Sequence, residues 1–412
     1  MNLEQVKELE DKYVMRTFGR KDFLAQSAQG MTVRDAEGKE YLDFLAGIGA
    51  VSVGHCHPRL SDAISKAASN LMHVGNYYYI QDRAILSCMI SNLLSGNVDD
   101  IYRTDAQQAT WKSFYTNSGA ESNECAIKLA RLWGTKHKNG AHKIVTLNRS
   151  FHGRTMATLS ATAQPAKQEY FRPLLDGFVY VEQNDLQALR ECFAAMGADM
   201  CAIMIECIQG EGGVHPCTAE FADEIKTLCK QYNVLLIVDE VQTGFFRCGA
   251  SPFCFLDYGL NPDIVSMAKG IGGGFPIGVC SATAEIADVF NPGDHGTTFG
   301  GSSLAVAAAK TCIDILVDEK LGLNSDVTGK FLRGRLSQLE GVSNVRGSGL
   351  MIGCDIDKNA PDLVDAMQEA GFLINCTGPN SLRFLPPLIC SEIDALKLIE
   401  ALSSILNADA KR

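Results

Sequence analysis

The 412-residue sequence contains no apolar run near the roughly 18 to 20 residues that a bilayer-spanning helix needs. It also has no apolar signal segment at its start, where charge begins at Glu4. We therefore expect a soluble, cytoplasmic protein with no membrane partner.

Positive charge is scarce. The chain has 37 Lys and Arg against 48 Asp and Glu, which gives a formal net charge of -11. It has no basic patch that could neutralise phosphates, and this argues against a nucleic-acid partner.

Metal-binding motifs are missing as well. None of the fifteen cysteines has the CxxC spacing, and adjacent side chains in the run His55, Cys56, His57 point apart. An odd cysteine count, with thiols such as Cys201 inside apolar stretches, indicates reduced thiols. We expect no metal site.

The chain has no repeats or low-complexity tracts, and its length predicts two or three lobes. An apolar run at 201–205, helical periodicity from Phe221 to Tyr232 and a second apolar run at 234–238 predict a strand, a helix and a strand. This alternation is typical of an α/β fold with a parallel sheet covered by helices. Further strands are predicted at 113–115, 143–147, 264–267 and 277–282.

Three segments are predicted along the chain. Residues 1–60 hold a helix and short strands that pack beside the C-terminal lobe. Residues 61–300 form the large α/β domain, and residues 301–412 form a smaller α+β domain.

Ligands of parallel sheets collect at the carboxyl ends of the strands. After the strand at 113–115 come Ser118, Gly119 and Ala120, followed by a helix. Ser118 and Glu121 have the spacing of a capping box, whereas the small-residue turn is also typical of a phosphate cradle at a helix N-terminus. The local pattern leaves both interpretations open.

Other strand ends carry ionisable groups. Glu206 precedes a glycine-rich loop that contains Glu211, Asp239 follows an apolar strand, and Lys269 precedes Gly270. A carboxylate placed like Asp239 needs a cationic partner or a proton. The glycines after Lys269 do not match a dinucleotide fingerprint, and the chain has no GxxxxGK[ST] phosphate loop. This disfavours a nicotinamide oxidoreductase.

One cofactor accounts for these strand ends together. Pyridoxal 5'-phosphate needs an amine for covalent attachment, an acid beside its ring nitrogen and a phosphate cup. Lys269, Asp239 and the turn at 118–120 provide them. Taken singly, Lys269 is also compatible with a solvated loop lysine.

The order of these motifs resembles the class III aminotransferases. The resemblance covers Thr17 to the C-terminus, and its motifs are Phe114–Arg131, Phe151–Arg154, Glu206–Gly213, Asp239–Gly244, Lys269, His295–Gly301 and Leu382–Pro387. It implies the aspartate aminotransferase-like fold of fold type I enzymes, with a mainly parallel seven-stranded sheet in the large domain. It also implies a homodimer with active sites at the subunit interface.

The resemblance assigns roles to matching positions. Lys269 corresponds to the covalently attached lysine, Asp239 to the partner of the ring nitrogen, and Gln242 to the donor to the ring hydroxyl. Phe151 corresponds to the aromatic side chain stacked on the ring. Ser118, Gly119 and Ala120 correspond to the phosphate cup, which Thr298 of the other subunit completes.

Substrate positions follow in the same way. Arg154 resembles a carboxylate clamp, and Arg383 with Glu211 resembles a pair that opens for the second carboxylate of 2-oxoglutarate. Within the family the chain is most similar to the branch that acts on N-acetylornithine. Ile48 replaces a tyrosine of the ornithine enzymes, while Phe18 departs from a frequent tyrosine.

Several alternatives remain at this point. A sister transaminase for ornithine, succinylornithine, lysine or 4-aminobutyrate would share every cofactor residue. A racemase or mutase of the family would need no external oxo acid, and a regulator would keep the fold without the chemistry.

Overall fold

The computed structural model describes residues 1–104 and 110–408. Its strands are β1 Ala25–Gln29, β2 Thr32–Asp35, β3 Glu40–Asp43, β4 Trp111–Thr116, β5 Lys143–Leu147, β6 Phe178–Val181, β7 Met200–Ile205, β8 Ile208–Gln209, β9 His215–Pro216, β10 Leu235–Asp239, β11 Ile264–Met267, β12 Gly278–Thr283, β13 Val342–Ser348, β14 Met351–Ile356, β15 Phe372–Leu373, β16 Asn375–Cys376 and β17 Ser381–Phe384.

The α-helices are α1 Leu3–Tyr13, α2 Ala46–Gly49, α3 Pro58–Asn70, α4 Gln81–Leu94, α5 Gly119–His137, α6 Met156–Ala161, α7 Pro165–Gln168, α8 Leu186–Met196, α9 Ala219–Tyr232, α10 Cys254–Asp257, α11 Ala284–Ala287, α12 Ser303–Asp318, α13 Leu321–Leu336, α14 Ala360–Glu369 and α15 Glu392–Ala408. None of these helices has the length and apolar composition needed to cross a bilayer. All fifteen cysteines are free thiols.

A seven-stranded sheet in the order β4-β12-β11-β10-β7-β5-β6 forms the centre of the molecule. Only β12 runs antiparallel to its neighbours. Strands β7 and β10 are buried along their whole length, as their continuous apolar runs predict. The expected mainly parallel sheet of an α/β fold is confirmed.

The connection from β7 to β10 shows how local sequence sets this geometry. Thr218 caps helix α9 by accepting a hydrogen bond from the Phe221 backbone N–H at 3.1 Å. The helix buries Ile225 and Leu228 and ends at Asn233, which adopts the left-handed conformation with φ 52°. Strand β10 begins two residues later, and its last residue is Asp239.

Two four-stranded sheets and the two-stranded sheet β8-β9 lie outside the central one. The order β1-β2-β3-β15 joins the N-terminal strands to the C-terminal part of the chain, because Phe372 pairs with Leu42. The other four-stranded sheet has the order β13-β14-β17-β16 and contains Arg383 in β17. The division at residues 60 and 300 stays a prediction, since these pairings do not define where one domain ends.

Arg247 connects the C-terminal sheet to the large domain. Its buried guanidinium donates to the backbone oxygens of Leu350 at 3.1 Å and Pro386 at 2.5 Å. Burial lowers the pKa of Arg247 to about 10. Gly349 lies against the same segment in the β13–β14 turn, with φ 51°.

The Gly349→Ala substitution is expected to destabilise the protein by about 3 kcal/mol or more, because strain adds to a steric clash. An added Cβ would lie 2.4 Å from the Cys248 carbonyl carbon. Thermal unfolding measures the effect, with Gly341→Ala as the matched control. Gly341 has φ 78° and no atom within 4 Å of the added Cβ, so this variant should lose only about 1 kcal/mol. Equal losses in the two variants would contradict close packing at Gly349.

Candidate active site

A cavity of about 390 Å³ opens at the carboxyl ends of the central strands. The ends of β4, β7, β10 and β11 all contribute to it. Nine sequence-predicted residues line the cavity: Ser118, Gly119, Ala120, Phe151, Arg154, Glu211, Asp239, Gln242 and Lys269. Arg383 lies behind its wall, and Thr298 does not line it.

The turn before α5 forms one wall. Ser118 is the N-cap, and its hydroxyl accepts a hydrogen bond from the Glu121 backbone N–H at 3.2 Å. The capping box that the spacing of Ser118 and Glu121 allows is not formed, because the Glu121 carboxylate accepts from the Asn117 backbone N–H at 2.6 Å instead of from the Ser118 N–H. Position 119 must be glycine, since a Cβ there would lie 2.6 Å from Val241. The small-residue turn thus leaves room for an anion at the helix N-terminus.

Asp239 lies at the floor of the cavity and is buried. One carboxylate oxygen contacts His152 Nδ1 at 2.8 Å and accepts from Asn123 Nδ2 at 2.8 Å, and the other accepts from the Val241 backbone N–H at 3.0 Å. Among the described residues, the side-chain partners of this carboxylate are therefore an imidazole and a carboxamide, with no Lys or Arg among them.

Sequence reasoning did not identify His152 and Asn123 as site residues. His152 directly follows Phe151, and Asn123 lies one turn into the helix after Ser118, so both are within recognised motifs. Nothing in their spacing connects them to position 239. Both are buried, and Asn123 Nδ2 lies within hydrogen-bond distance of both Asp239 and the His152 backbone oxygen, at 2.8 and 2.7 Å.

Glu206 is a second buried carboxyl group of the cavity. It accepts hydrogen bonds from the backbone N–H groups of Phe151 at 3.0 Å and Gly210 at 3.1 Å. Burial raises the pKa of Glu206 to about 7, with His152 opposing this rise and Asp239 adding to it. Glu206 therefore titrates near neutral pH.

Lys269 begins a short 3₁₀ turn, Lys269–Gly272, directly after β11. Its backbone has φ 48°, an unfavourable conformation for a residue with a Cβ. Burial lowers the pKa of the Lys269 amine, and nearby Glu211 opposes this effect. A lowered pKa increases the fraction of neutral amine, which is the nucleophilic form.

Glu211, Gln242 and Arg383 form a polar triangle at the cavity wall. The Arg383 guanidinium forms an ion pair with Glu211 and donates to Gln242 Oε1 at 3.3 Å. Burial acts to raise the pKa of Glu211, but Arg383 outweighs it and holds this pKa below its ordinary value. A Cβ at position 210 would lie 2.0 Å from Gln242 Oε1, so a larger residue than Gly210 would displace the Gln242 side chain.

Phe151 and Arg154 lie at the mouth of the cavity. The exposed Arg154 guanidinium lies 5.5 Å from the centre of the Phe151 ring. Within the described ranges Arg154 forms no ion pair, so its charge is available to an anion entering the cavity.

Thr298 lies on the surface in the segment 295–301. The neighbouring Thr297 hydroxyl accepts from Asn117 Nδ2 at 3.3 Å, which places this segment near the turn at 118–120. In the parts of the chain that the structure covers, no three His, Cys, Asp or Glu side chains are arranged to hold a metal ion.

The family model for aminotransferase class-III matches residues 16–406. This chain belongs to the class III aminotransferase family. A curated acetylornithine aminotransferase of Caldanaerobacter subterraneus subsp. tengcongensis is 42% identical over 404 residues, covering 97% of this chain and 98% of that protein. One from Methanocaldococcus jannaschii is 42% identical over 413 residues, covering 98% of each.

Solved structures show the same fold. An ornithine aminotransferase from Toxoplasma gondii matches with a TM-score of 0.90 at 29% identity, covering 100% of this chain and 97% of that one. An acetylornithine aminotransferase from Elizabethkingia anophelis matches with a TM-score of 0.84 at 30% identity, covering 99% and 100%.

This class III aminotransferase is a transaminase of fold type I that uses pyridoxal 5'-phosphate. The cavity fits that cofactor. It combines an anion-accepting helix N-terminus, a buried carboxylate and a desolvated amine.

Replacing Glu206 is expected to change the pH dependence of stability. The ordinary pKa of a glutamate side chain is 4.5, and that of Glu206 in the native state is about 7. Between these two pH values the native state holds a proton on Glu206 that the unfolded chain has lost. This contribution, of about 3 kcal/mol, is complete below the unfolded pKa and is lost as the pH rises through 7. The Glu206→Gln variant stays neutral at every pH.

The measurement is the unfolding temperature of both proteins from pH 5 to pH 8. The difference, variant minus wild type, should increase as the pH rises. Glu8→Gln, which changes an exposed residue of α1, serves as the control and should show a constant difference. A constant difference for Glu206→Gln would show that Glu206 does not hold a proton in the native state.

Proposed function

We propose that this class III aminotransferase transfers the terminal amino group of N-acetylornithine to 2-oxoglutarate. The products are N-acetylglutamate semialdehyde and glutamate, as in arginine biosynthesis, and we place the reaction in the cytoplasm. The observation that carries the proposal is the arrangement of two guanidinium groups around one cavity. Arg154 has no ion-pair partner in the described chain, while Arg383 is held by Glu211.

This arrangement suits two different substrates in turn. An amine donor with one carboxylate needs a single clamp, for which Arg154 is available, since a planar guanidinium binds carboxylates bidentately. A dicarboxylic oxo acid needs a second cation. Arg383 supplies this second cation if its ion pair with Glu211 opens. Gln242 contacts both Arg383 and Glu211 and so lies between the two partners of the pair.

The cofactor supplies an aldehyde that takes up the amino group and a ring that accepts electrons when the substrate loses its proton. Ser118, Gly119 and Ala120 would hold its phosphate at the N-terminus of α5. Asp239, fixed by His152 and Asn123, would keep the ring nitrogen protonated.

The remaining cofactor residues bind and move protons. Gln242 would donate to the ring hydroxyl, and Phe151 would pack on the ring. The Lys269 amine would take the proton from the amine-bearing carbon of the substrate as a general base, and as a general acid it would deliver the proton to the carbon that is the aldehyde carbon of the free cofactor. The lowering of the Lys269 pKa by burial supports this role, because it increases the fraction of neutral amine.

The acylated donor is favoured over free ornithine by position 48. Ile48 has φ 61°, a strained conformation for a β-branched side chain, and lies two residues from Ala50 of the cavity wall. An aliphatic side chain offers no hydroxyl to a free α-amino group. The near full-length likeness to two curated acetylornithine aminotransferases supports the same choice.

We also propose that the enzyme is a homodimer whose active sites include residues of both subunits. A set of large apolar side chains is exposed on the single chain, which is unusual for a monomer surface. Its members include Met72, Tyr77, Tyr78, Tyr79 and Phe299, with Tyr77 98% and Phe299 62% exposed. Thr298 directly precedes Phe299 in the chain. If a second subunit covers this surface, Thr298 would lie near the active site of that subunit.

The Lys269→Ala substitution is expected to lower kcat by at least about 10²- to 10⁴-fold, because the proton-transfer group is lost. Lys330→Ala, which changes an exposed lysine of α13, should leave kcat unchanged. Full activity of the Lys269 variant would remove this residue from the mechanism.

A panel of amines tests the donor. We expect kcat/KM for N-acetylornithine to exceed that for ornithine, lysine and 4-aminobutyrate by at least about tenfold, since only it combines a carboxylate with a neutral acylated nitrogen. N-succinylornithine separates the two acyl groups. A higher kcat/KM for ornithine would overturn the proposed donor.

Subunit mixing tests the shared active site. Thr298→Glu should be inactive, because a carboxylate repels the cofactor phosphate, and Lys269→Ala is inactive for its own reason. Random mixing of the two variants should restore about a quarter of wild-type activity, since half the dimers carry one intact site. No recovery in a preparation shown to contain mixed dimers would place Thr298 outside the partner's site.

A further inference from the structure

A second cation, in addition to Arg154, lies close to the Phe151 ring and has no role in the proposed function. The Lys167 ammonium is 5.8 Å from the centre of the Phe151 ring, and the Arg154 guanidinium is 5.5 Å from the same point. Neither cation forms an ion pair with a carboxylate in the described parts of the chain. Two uncompensated like charges beside one aromatic ring repel each other, and a bound anion would relieve this repulsion.

The position of Lys167 is fixed by its surroundings. It lies in the short helix α7, next to the buried Gln168, whose amide donates to the backbone oxygens of Leu159 at 3.2 Å and Thr162 at 2.7 Å. The Lys167 ammonium donates to the side chain of Gln164. The charge is therefore held in place beside Phe151.

Gln164 is itself anchored. Its amide nitrogen donates to the backbone oxygens of Arg149 and Ser150, each at 3.1 Å, directly before Phe151 in the chain. This leaves its oxygen to receive the Lys167 ammonium. The same backbone segment thus positions Phe151 and, through Gln164, the lysine.

The electrostatics of the cavity mouth agree with an anion site. Burial lowers the pKa of Lys167, Arg154 lowers it further, and Glu211 opposes both effects. Glu211 is already paired with Arg383. The surroundings of the Phe151 ring are therefore locally cationic in a chain whose net charge is -11.

We propose that Lys167, together with Arg154, binds the substrate carboxylate that is remote from the reacting carbon. Lys167 is thereby a specificity-determining residue that favours substrates bearing such a group. The inference rests on the proposed function, in which N-acetylornithine and 2-oxoglutarate both carry a remote carboxylate.

The test is Lys167→Gln in the holoenzyme, assayed with matched substrate pairs. N-acetyl-1,4-diaminobutane is N-acetylornithine without its carboxylate, and pyruvate lacks the remote carboxylate of 2-oxoglutarate. We expect KM to rise about fivefold for N-acetylornithine and for 2-oxoglutarate, with kcat little changed. For the two substrates without the carboxylate, KM should not change.

Two further variants control the result. Lys167→Arg keeps the charge and should retain most of the wild-type preference. Lys330→Gln removes one positive charge far from the cavity and should leave every KM unchanged. If KM rises for N-acetylornithine but not for 2-oxoglutarate, or the reverse, Lys167 binds the carboxylate of that one substrate only.

An equal rise in KM for both members of each pair, or no rise at all, would overturn the proposal. A wrong role for Lys167 can be told apart from a wrong donor substrate. If the wild-type enzyme does not accept N-acetylornithine, the donor assignment is wrong, and the comparison of 2-oxoglutarate with pyruvate still decides the role of Lys167.

Discussion

Parallel alignment of the central strands is the constraint on which the site depends. Because β7, β10 and β11 run in the same direction, their carboxyl ends deliver Glu206, Asp239 and Lys269 to one edge of the sheet. The strands hold these groups in fixed positions, because both faces of the sheet are covered by packed side chains. The loops after the strands then add the phosphate cradle and the substrate-binding side chains.

Burial at this edge gives the ionisable groups unusual properties. The Lys269 amine and the Glu206 carboxyl group both have pKa values shifted toward the neutral form, because water is largely excluded. Asp239 is held by two hydrogen-bonding side chains from other parts of the chain. The same low-dielectric cavity therefore favours the neutral amine of Lys269 and keeps the Asp239 carboxylate in a fixed position.

The C-terminal sheet contributes the substrate-dependent part of the site. Arg383 comes from β17, and its ion pair with Glu211 crosses from this sheet to a loop of the large domain. Arg247 and the turn at Gly349 hold the two parts together through buried backbone contacts. An unpaired buried charge is costly. The buried Arg383 guanidinium would therefore exchange Glu211 for a substrate carboxylate more readily than it would stay without a partner.

The sequence by itself determined the fold class and the strand ends that carry Ser118, Asp239 and Lys269. Local patterns suffice for these, because apolar runs define buried strands and the residues after each run lie at the sheet edge. The roles of Phe151, Arg154 and Gln242 came from the resemblance to the family. Only the tertiary structure decided the partners of those groups. His152 and Asn123 contact Asp239 across 87 and 116 residues of chain, and the Glu121 carboxylate accepts from Asn117 instead of forming a capping box. Lys167 and Arg154 lie close to the same aromatic ring. Such contacts depend on how separate elements pack, and no periodicity or spacing along the chain records that packing.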